Sequence, residues 1–351
     1  MEVPSQELAQ EILSGSDRSL RGRLVRGLTA IAEPIYAAAM AGRNLAYSQG
    51  WRASRRLPSP TVSVGNITTG GTGKTPVVQW LAGRLSEAGK NPAVLLRGYR
   101  STAGGVSDEQ QLLARGLPDA IPVVANPNRF AGAEQALRQN GKIDTFVLDD
   151  GFQHRKVKRD FDLVLVNATE RFGFGHVLPR GLLREPMAGL RRADALLITR
   201  SSQVDSAELA KIESIIKKNN SAAPIYHADH VNTAIWVPGS GERLPIATEE
   251  QCFVFCGIAD PRAFTAQLPN CVGHQWFSDH HDYTADDLRG IVAQATAAGA
   301  QRILTTEKDW VKIAALPSAG EIGVVEMEIR FAGDDEQRLL TQIREKLEWS
   351  K

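Results

Sequence analysis

Three sets of residues in this chain have types and spacings that could do chemistry. The run Thr61 to Pro76, T-V-S-V-G-N-I-T-T-G-G-T-G-K-T-P, places Thr68, Thr69, Gly70, Gly71, Thr72 and Gly73 directly ahead of Lys74 and Thr75. It reads as a phosphate cradle. Glycines allow the positive φ that turns backbone N–H groups inward, and the anion then sits at a helix N-terminus. Lys74 would reach the β- and γ-phosphate oxygens of a nucleotide, and the Thr75 hydroxyl would ligate a magnesium ion bridging them. The strict G-x-x-x-x-G-K-[ST] pattern asks for glycine where this chain has Thr68. The G-G-x-G-K-T core nonetheless follows a strand and opens a helix expected over Thr75 to Ala88, which is the context the motif requires. The plain alternative is a glycine-rich turn with an exposed lysine.

The second set is Asp149 and Asp150, which close the apolar run I-D-T-F-V-L-D-D. A P-loop protein needs an acid there to hold magnesium or its water shell. Successive strand residues face opposite sides, so one acid can serve the metal while the other orients the loop G-F-Q-H or the acceptor. Solvated turn formers would look the same.

The third set is a base and its helpers. Transfer of a phosphoryl group to an alcohol needs a group that accepts the hydroxyl proton. Asp108, beside Glu109, lies past the carboxyl end of the second expected strand, and would otherwise be a helix cap. His280 and His281 sit between carboxylates in F-S-D-H-H-D-Y, a cluster open to zinc, base-orienting, substrate or surface-turn roles. The stretch L-P-R-G-L-L-R-E-P, Leu178 to Pro186, with Arg129 and Arg155, could clamp phosphates. T-T-E-K-D-W-V-K, from Thr305, bears a faint similarity to the base-reading motifs of GTPases.

The elements that must position these residues alternate. Near-continuous apolar runs at Pro92 to Arg97, Ile121 to Ala125 and Ile143 to Asp150, then D-L-V-L-V-N-A and D-A-L-L-I-T-R, read as strands buried on both faces. With helices between them they predict an α/β fold: a P-loop doubly wound, mostly parallel sheet with ligands beyond the strands' carboxyl ends. A second, smaller α/β domain is expected within 225–331. Its flanking stretches, Ile225 to Val237 and Gly323 to Phe331, would pair as a two-stranded β-ribbon joining it to the P-loop domain at 57–224. A last helix from Asp335 would return to the first domain.

The 351 residues suffice for two cores, and a formal net charge of +1 argues against nucleic acid as main partner. Cys252, Cys256 and Cys271 form no CxxC framework and read as reduced core thiols. No apolar stretch is long enough to span a bilayer, and the first residues lack a signal-peptide layout. Residues 1–56 stand apart. Between Asp17 and Arg56 lie eight arginines against two acids, interleaved with Leu24, Val25, Leu28, Ile31, Ile35, Tyr36, Met40, Leu45 and Tyr47. Pro34 suggests two short amphipathic helices, suited to an anionic membrane surface or to packing on the P-loop domain.

The set S-V-G-N-I-T-T-G-G-T-G-K-T-P, L-L-R-G-Y-R, S-D-E, V-L-D-D-G-F-Q-H, L-P-R-G-L-L-R-E-P, C-G-I-A-D-P, F-S-D-H-H-D-Y and T-E-K-D-W-V-K, in this order over nearly the whole chain, resembles the tetraacyldisaccharide 4'-kinase family. The resemblance implies transfer of the ATP γ-phosphate, with Mg2+, to the 4'-hydroxyl of a tetraacylated glucosamine disaccharide 1-phosphate. The product would be lipid IVA, made at the cytoplasmic face of a bacterial inner membrane by a peripheral or monotopic protein with no obligate protein partner. It further implies Asp108 as base, His280 oriented against it, and Asp149 and Asp150 as the magnesium and active-site acids. The competing class is a membrane-associated P-loop ATPase switch, which predicts no acceptor base.

Overall fold

The computed structural model describes residues 11–98, 107–246, 249–258, 261–279, 281–317 and 319–347. The chain divides into two compact units. Among the described residues, 11–98, 113–230 and 329–347 form one, and 107–112 and 231–328 the other.

The first unit is built on parallel strands β1 (Thr61–Asn66), β2 (Pro92–Leu96), β3 (Val123–Ala125), β4 (Thr145–Asp149), β5 (Phe161–Asn167), β6 (Ala195–Thr199) and the start of β7 (Ile225–Val237). Their order is β7-β6-β5-β1-β4-β2-β3, each pair parallel. β1, β2, β5 and β6 are buried at every residue, as unbroken apolar runs between two helical layers must be. On one face Val62, Val64, Leu163 and Leu197 meet Val77, Val78 and Leu81 of the helix Lys74–Glu87. Leu339 and Ile343 of the C-terminal helix Asp335–Lys346 join the same cluster. Trp80 donates to Glu336 at 2.9 Å and packs on Phe331, fixing that last helix to the P-loop helix.

The second unit has its own core around Phe253, Phe255, Leu288, Ile291, Ile313 and Val324. Strands β9 (Cys252–Cys256), β10 (Cys271–Trp276), β11 (Arg302–Thr306) and β12 (Gly323–Phe331) run in the order β10-β9-β11-β12, parallel throughout. β12 neighbours β7, whose far half also pairs antiparallel with β8 (Glu242–Pro245). The helix Ala285–Ala297 opens with a capping box of Thr284 and Asp287. Cys252 and Cys256 are buried free thiols.

The division differs from the one expected from sequence in three places, one of them Ile329 to Phe331 at the end of β12, which belong to the P-loop unit. Residues 225–230 of the ribbon strand belong to the P-loop unit, because Ile225 to Ala228 pair with β6. Residues 107–112, including Asp108, group with the second unit.

The N-terminal segment also corrects an expectation. Pro34 does not break it: one helix runs from Leu20 to Ser48. Pro34 faces solvent, where water can hydrate the carbonyl that loses its partner, while contacts on both sides of it hold the helix to the protein. Glu33 accepts from His176 and Arg180, and the Tyr36 hydroxyl donates to the Arg184 carbonyl at 2.9 Å. Further along, Asn44 donates to Glu185 at 2.7 Å, and Arg43 to the Gln153 carbonyl at 2.7 Å. The opposite face carries Leu20, Leu24, Leu28, Ile31 and Ile35, each between 67% and 71% exposed. At 100° per residue these five fall within a sector of about 80°. Arg21 and Arg23 flank the sector, both exposed. Among the described residues no helix is long and apolar enough to cross a membrane.

Candidate active site

β1 delivers the chain to the cradle, and its last residue starts the site. Asn66 accepts from Lys74 Nζ at 3.3 Å through Oδ1 and donates through Nδ2 to Thr68 Oγ1 at 3.2 Å. Thr68 forms an antiparallel bridge with Leu183, the Thr69 N–H donates to the Leu182 carbonyl at 2.7 Å, and the Arg184 N–H to the Ile67 carbonyl at 2.7 Å. Thr68 therefore lies in a short ladder without a left-handed φ, and the glycine of the usual pattern has no steric reason to be there. The left-handed conformations come later, at Gly70 (φ 125°) and Gly73 (φ 71°). Gly73 caps the helix Lys74–Glu87 without a side chain, so the first N–H groups are left to an external anion.

Asp149 ends β4 opposite Val64 of β1. Asp150 follows in a left-handed turn (φ 51°), its carboxylate shared between Lys74 (3.4 Å) and Arg184 (2.7 Å). Burial pushes this carboxyl up, but Lys74 and Arg184 outweigh it and hold it below the usual carboxylate range. Both oxygens thus face cations. Gly151 follows because a Cβ there would press on Ser63 and Leu148. Gln153 bridges the Asn66 carbonyl (2.8 Å) and Glu185 (2.9 Å). Glu185 is fully buried and takes two hydrogen bonds from Arg192. Burial raises its pKa, and Arg192, Gln153 and Asn44 bring it below the ordinary value.

The other arginines expected as phosphate clamps are spent on structure. Arg155 donates to the Asn44 carbonyl and Ser48 and lies over Tyr47, Arg129 donates to the Asn126 and Asp149 carbonyls, and Arg180 pairs with Glu33. Of these expected clamps, Arg184 is the one that reaches the cradle. His154 is held neutral: burial, then Arg129, Arg159, Lys156 and Arg43, push it down to about 4.

In the second unit, Asp108 is exposed at the start of the helix Asp108–Arg115, with the Ser107 hydroxyl accepting the Gln110 N–H at 3.3 Å. Lys312 lies within electrostatic reach of Asp108 and donates to the His281 carbonyl at 3.0 Å. His280 lies outside the described residues. His281 stacks on Phe277 (4.5 Å) and meets Asp287 at 3.3 Å, a structural placement. Among the described residues no cluster of three His, Cys, Asp or Glu side chains could hold a metal alone. The GTPase-like T-E-K-D also has a structural explanation. Asp309 is buried, accepting from Tyr283 (2.9 Å), Thr306 (2.7 Å) and the Gly257 N–H (3.1 Å), which leaves nothing for a base.

Asn66, Gln153 and Glu185 sit inside or beside strings singled out in the sequence, but their roles depend on contacts across the fold. Thr199 and His230, both against the P-loop, carried no sequence signal.

A glycine cradle on a doubly wound parallel sheet, its lysine held by an asparagine and an acid at the end of the neighbouring strand, defines a P-loop phosphotransferase. The family model described as LpxK, tetraacyldisaccharide-1-P 4'-kinase, matches residues 26–348. The chain is 36% identical over 300 residues to the tetraacyldisaccharide 4'-kinase of Desulfotalea psychrophila, covering 80% of this chain and 85% of that one. To that of Geobacter metallireducens it is 35% identical over 326 residues, 86% and 92% of the two. A crystal structure of LpxK from Aquifex aeolicus in complex with ATP aligns with a TM-score of 0.72 at 27% identity, covering 92% of this chain and 99% of that one. The chain belongs to the tetraacyldisaccharide 4'-kinase family. Its reaction is phosphoryl transfer to the 4' position of a tetraacyldisaccharide 1-phosphate in lipid A synthesis, and the ATPase-switch reading, which has no acceptor, falls away.

Proposed function

We propose that ATP is the donor, bound in the Thr68 to Thr75 cradle, and that Asp108 accepts the proton of the 4'-hydroxyl with His280 orienting it. The observation that carries the donor site is the Lys74 ammonium, held between Asn66 and Asp150 at the mouth of a loop with two left-handed glycines. Phosphate oxygens placed there would meet a fixed cation and the helix N-terminus together.

Thr75 and Asp149 would hold magnesium. Both offer hard oxygen donors, and a two-ligand protein set suits an ion that completes its octahedron with phosphate and water. When bound, the ion supplies charge neutralisation on the phosphates. Arg184, tied to Asp150, adds positive charge beside Lys74. The Asp108 side chain is exposed with Lys312 within electrostatic reach, and a carboxylate is a group that can take the proton of an alcohol.

The exposed apolar face of the N-terminal helix, edged by Arg21 and Arg23, would rest on the anionic cytoplasmic face of the inner membrane, where the lipid disaccharide resides. Pure protein incubated with γ-labelled ATP, magnesium and the lipid disaccharide in micelles tests the whole reading. Label in the lipid, lost in Asp108→Ala while ATP still binds, is the expected result; label retained at the parent rate in Asp108→Ala removes Asp108 as base.

A further inference from the structure

Two carbonyls of the P-loop are gripped from behind. Thr199, the last residue of β6, donates its hydroxyl to the Thr72 carbonyl at 3.3 Å. His230, on the adjoining strand β7, has its Nε2 at 3.1 Å from the Gly73 carbonyl. A carbonyl only accepts, so Nε2 carries the proton and the ring is the neutral Nε2–H tautomer. His230 is 6% exposed, its Nδ1 has no hydrogen-bond partner, and burial, helped by nearby Arg200, pushes its pKa down to about 4 against the opposing Gly73 bond and Asp229. The ring is therefore committed to a single contact. It also fills the space beside Gly73, where any Cβ would collide with it.

The consequence follows from peptide geometry. In a planar trans peptide the carbonyl of one residue and the N–H of the next point in opposite directions. Holding the Thr72 carbonyl toward Thr199 therefore aims the Gly73 N–H the other way, and holding the Gly73 carbonyl toward His230 does the same for the Lys74 N–H. These two donors belong to the uncapped end of the helix Lys74–Glu87, where helical bonding leaves N–H groups free for an anion. Released, the Thr72–Gly73 peptide could rotate and present its carbonyl oxygen to a phosphate, while the Gly73 carbonyl, which also accepts the first bond of the helix, would lose the contact that sets its tilt.

We propose that His230, with Thr199, is a positioning residue for the nucleotide: the two side chains pin consecutive P-loop carbonyls backward so that the Gly73 and Lys74 N–H groups face the β- and γ-phosphates. The inference rests on the nucleotide-cradle reading above and adds to it the residues that set its backbone.

The test uses the full chain, with Mg-ATP titrated by calorimetry and both substrates varied in the transfer assay. His230→Leu removes the donor, His230→Gln restores an N–H near the Nε2 position, Thr199→Val removes only a hydroxyl, and Thr199→Ser restores it. The expected result for His230→Leu and Thr199→Val is a KM and Kd for ATP raised at least about tenfold, with the KM for the lipid unchanged. His230→Gln and Thr199→Ser should regain most of that loss. Thr199→Val is nearly isosteric, so it reads the loop even where His230→Leu impairs folding. ATP affinity within twofold of the parent in Thr199→Val and in folded His230→Leu overturns the inference, as does a loss that the rescuing variants do not repair. A parent that binds no Mg-ATP overturns the cradle reading itself, which separates the two failures.

Discussion

At Lys74 and Asp150 the neighbours, more than the side chains themselves, set the charge. The carboxylate between Lys74 and Arg184 stays charged despite burial, since two cations outweigh desolvation. At this scale Asp108→Ala is expected to lower turnover by at least about 100-fold with ATP affinity preserved, measured by transfer assay and calorimetry. His281→Ala should cost stability more than rate, because its ring is packed on Phe277 and bonded to Asp287, whereas His280→Ala should cost rate; turnover and thermal midpoint on each variant separate them. The histidines also set a pH dependence. His154 and His230 titrate near 4 in the fold and near 6.5 when unfolded, so between those values the unfolded chain binds more protons and stability falls with falling pH. For His230 the loss approaches about 3 kcal/mol by pH 4. Denaturant midpoints from pH 7.5 to 4.5 should decline over that window, and His230→Gln should flatten the decline.

Elements were legible in the sequence to the degree that burial dictates composition. β1, β5 and β6 are apolar because they are covered on both faces, and they appear where the runs place them. The N-terminal helix was misread at Pro34, since a local rule cannot anticipate Glu33 and Tyr36 being fastened on either side of it. Within the site, the cradle was readable from adjacent residues. The grip of Thr199 and His230 joins positions 127 and 157 residues apart from their partners, a separation with no periodicity to betray it. The helix itself yields a prediction: Leu24→Glu with Ile31→Glu should weaken sedimentation with anionic vesicles at least about tenfold while ATP binding stays unchanged. Unaltered vesicle binding would dissociate the apolar face from the membrane.

The chain forms two units, each with a core of its own. Sequence indicated both, and the C-terminal helix settles on the P-loop helix through Glu336 and Leu339. Glu185 joins the N-terminal helix, the Gln153 turn and Arg192, so Glu185→Ala leaves a part-buried guanidinium unpaired and is expected to cost about 3–5 kcal/mol. Chemical denaturation with unchanged slope would check it.

Tyr36 has a consequence for how substrate is found. Its hydroxyl holds the Arg184 carbonyl, Arg184 holds Asp150, and Asp150 holds Lys74, so the helix that carries the exposed apolar stripe and the cradle lysine are linked by three polar contacts within one compact unit. On the membrane reading, a protein seated on that stripe never searches bulk water for its acceptor. It diffuses in two dimensions, and its rate follows the mole fraction of disaccharide in the surface rather than its total concentration. Diluting the substrate with inert detergent or lipid at constant total amount should then slow the enzyme.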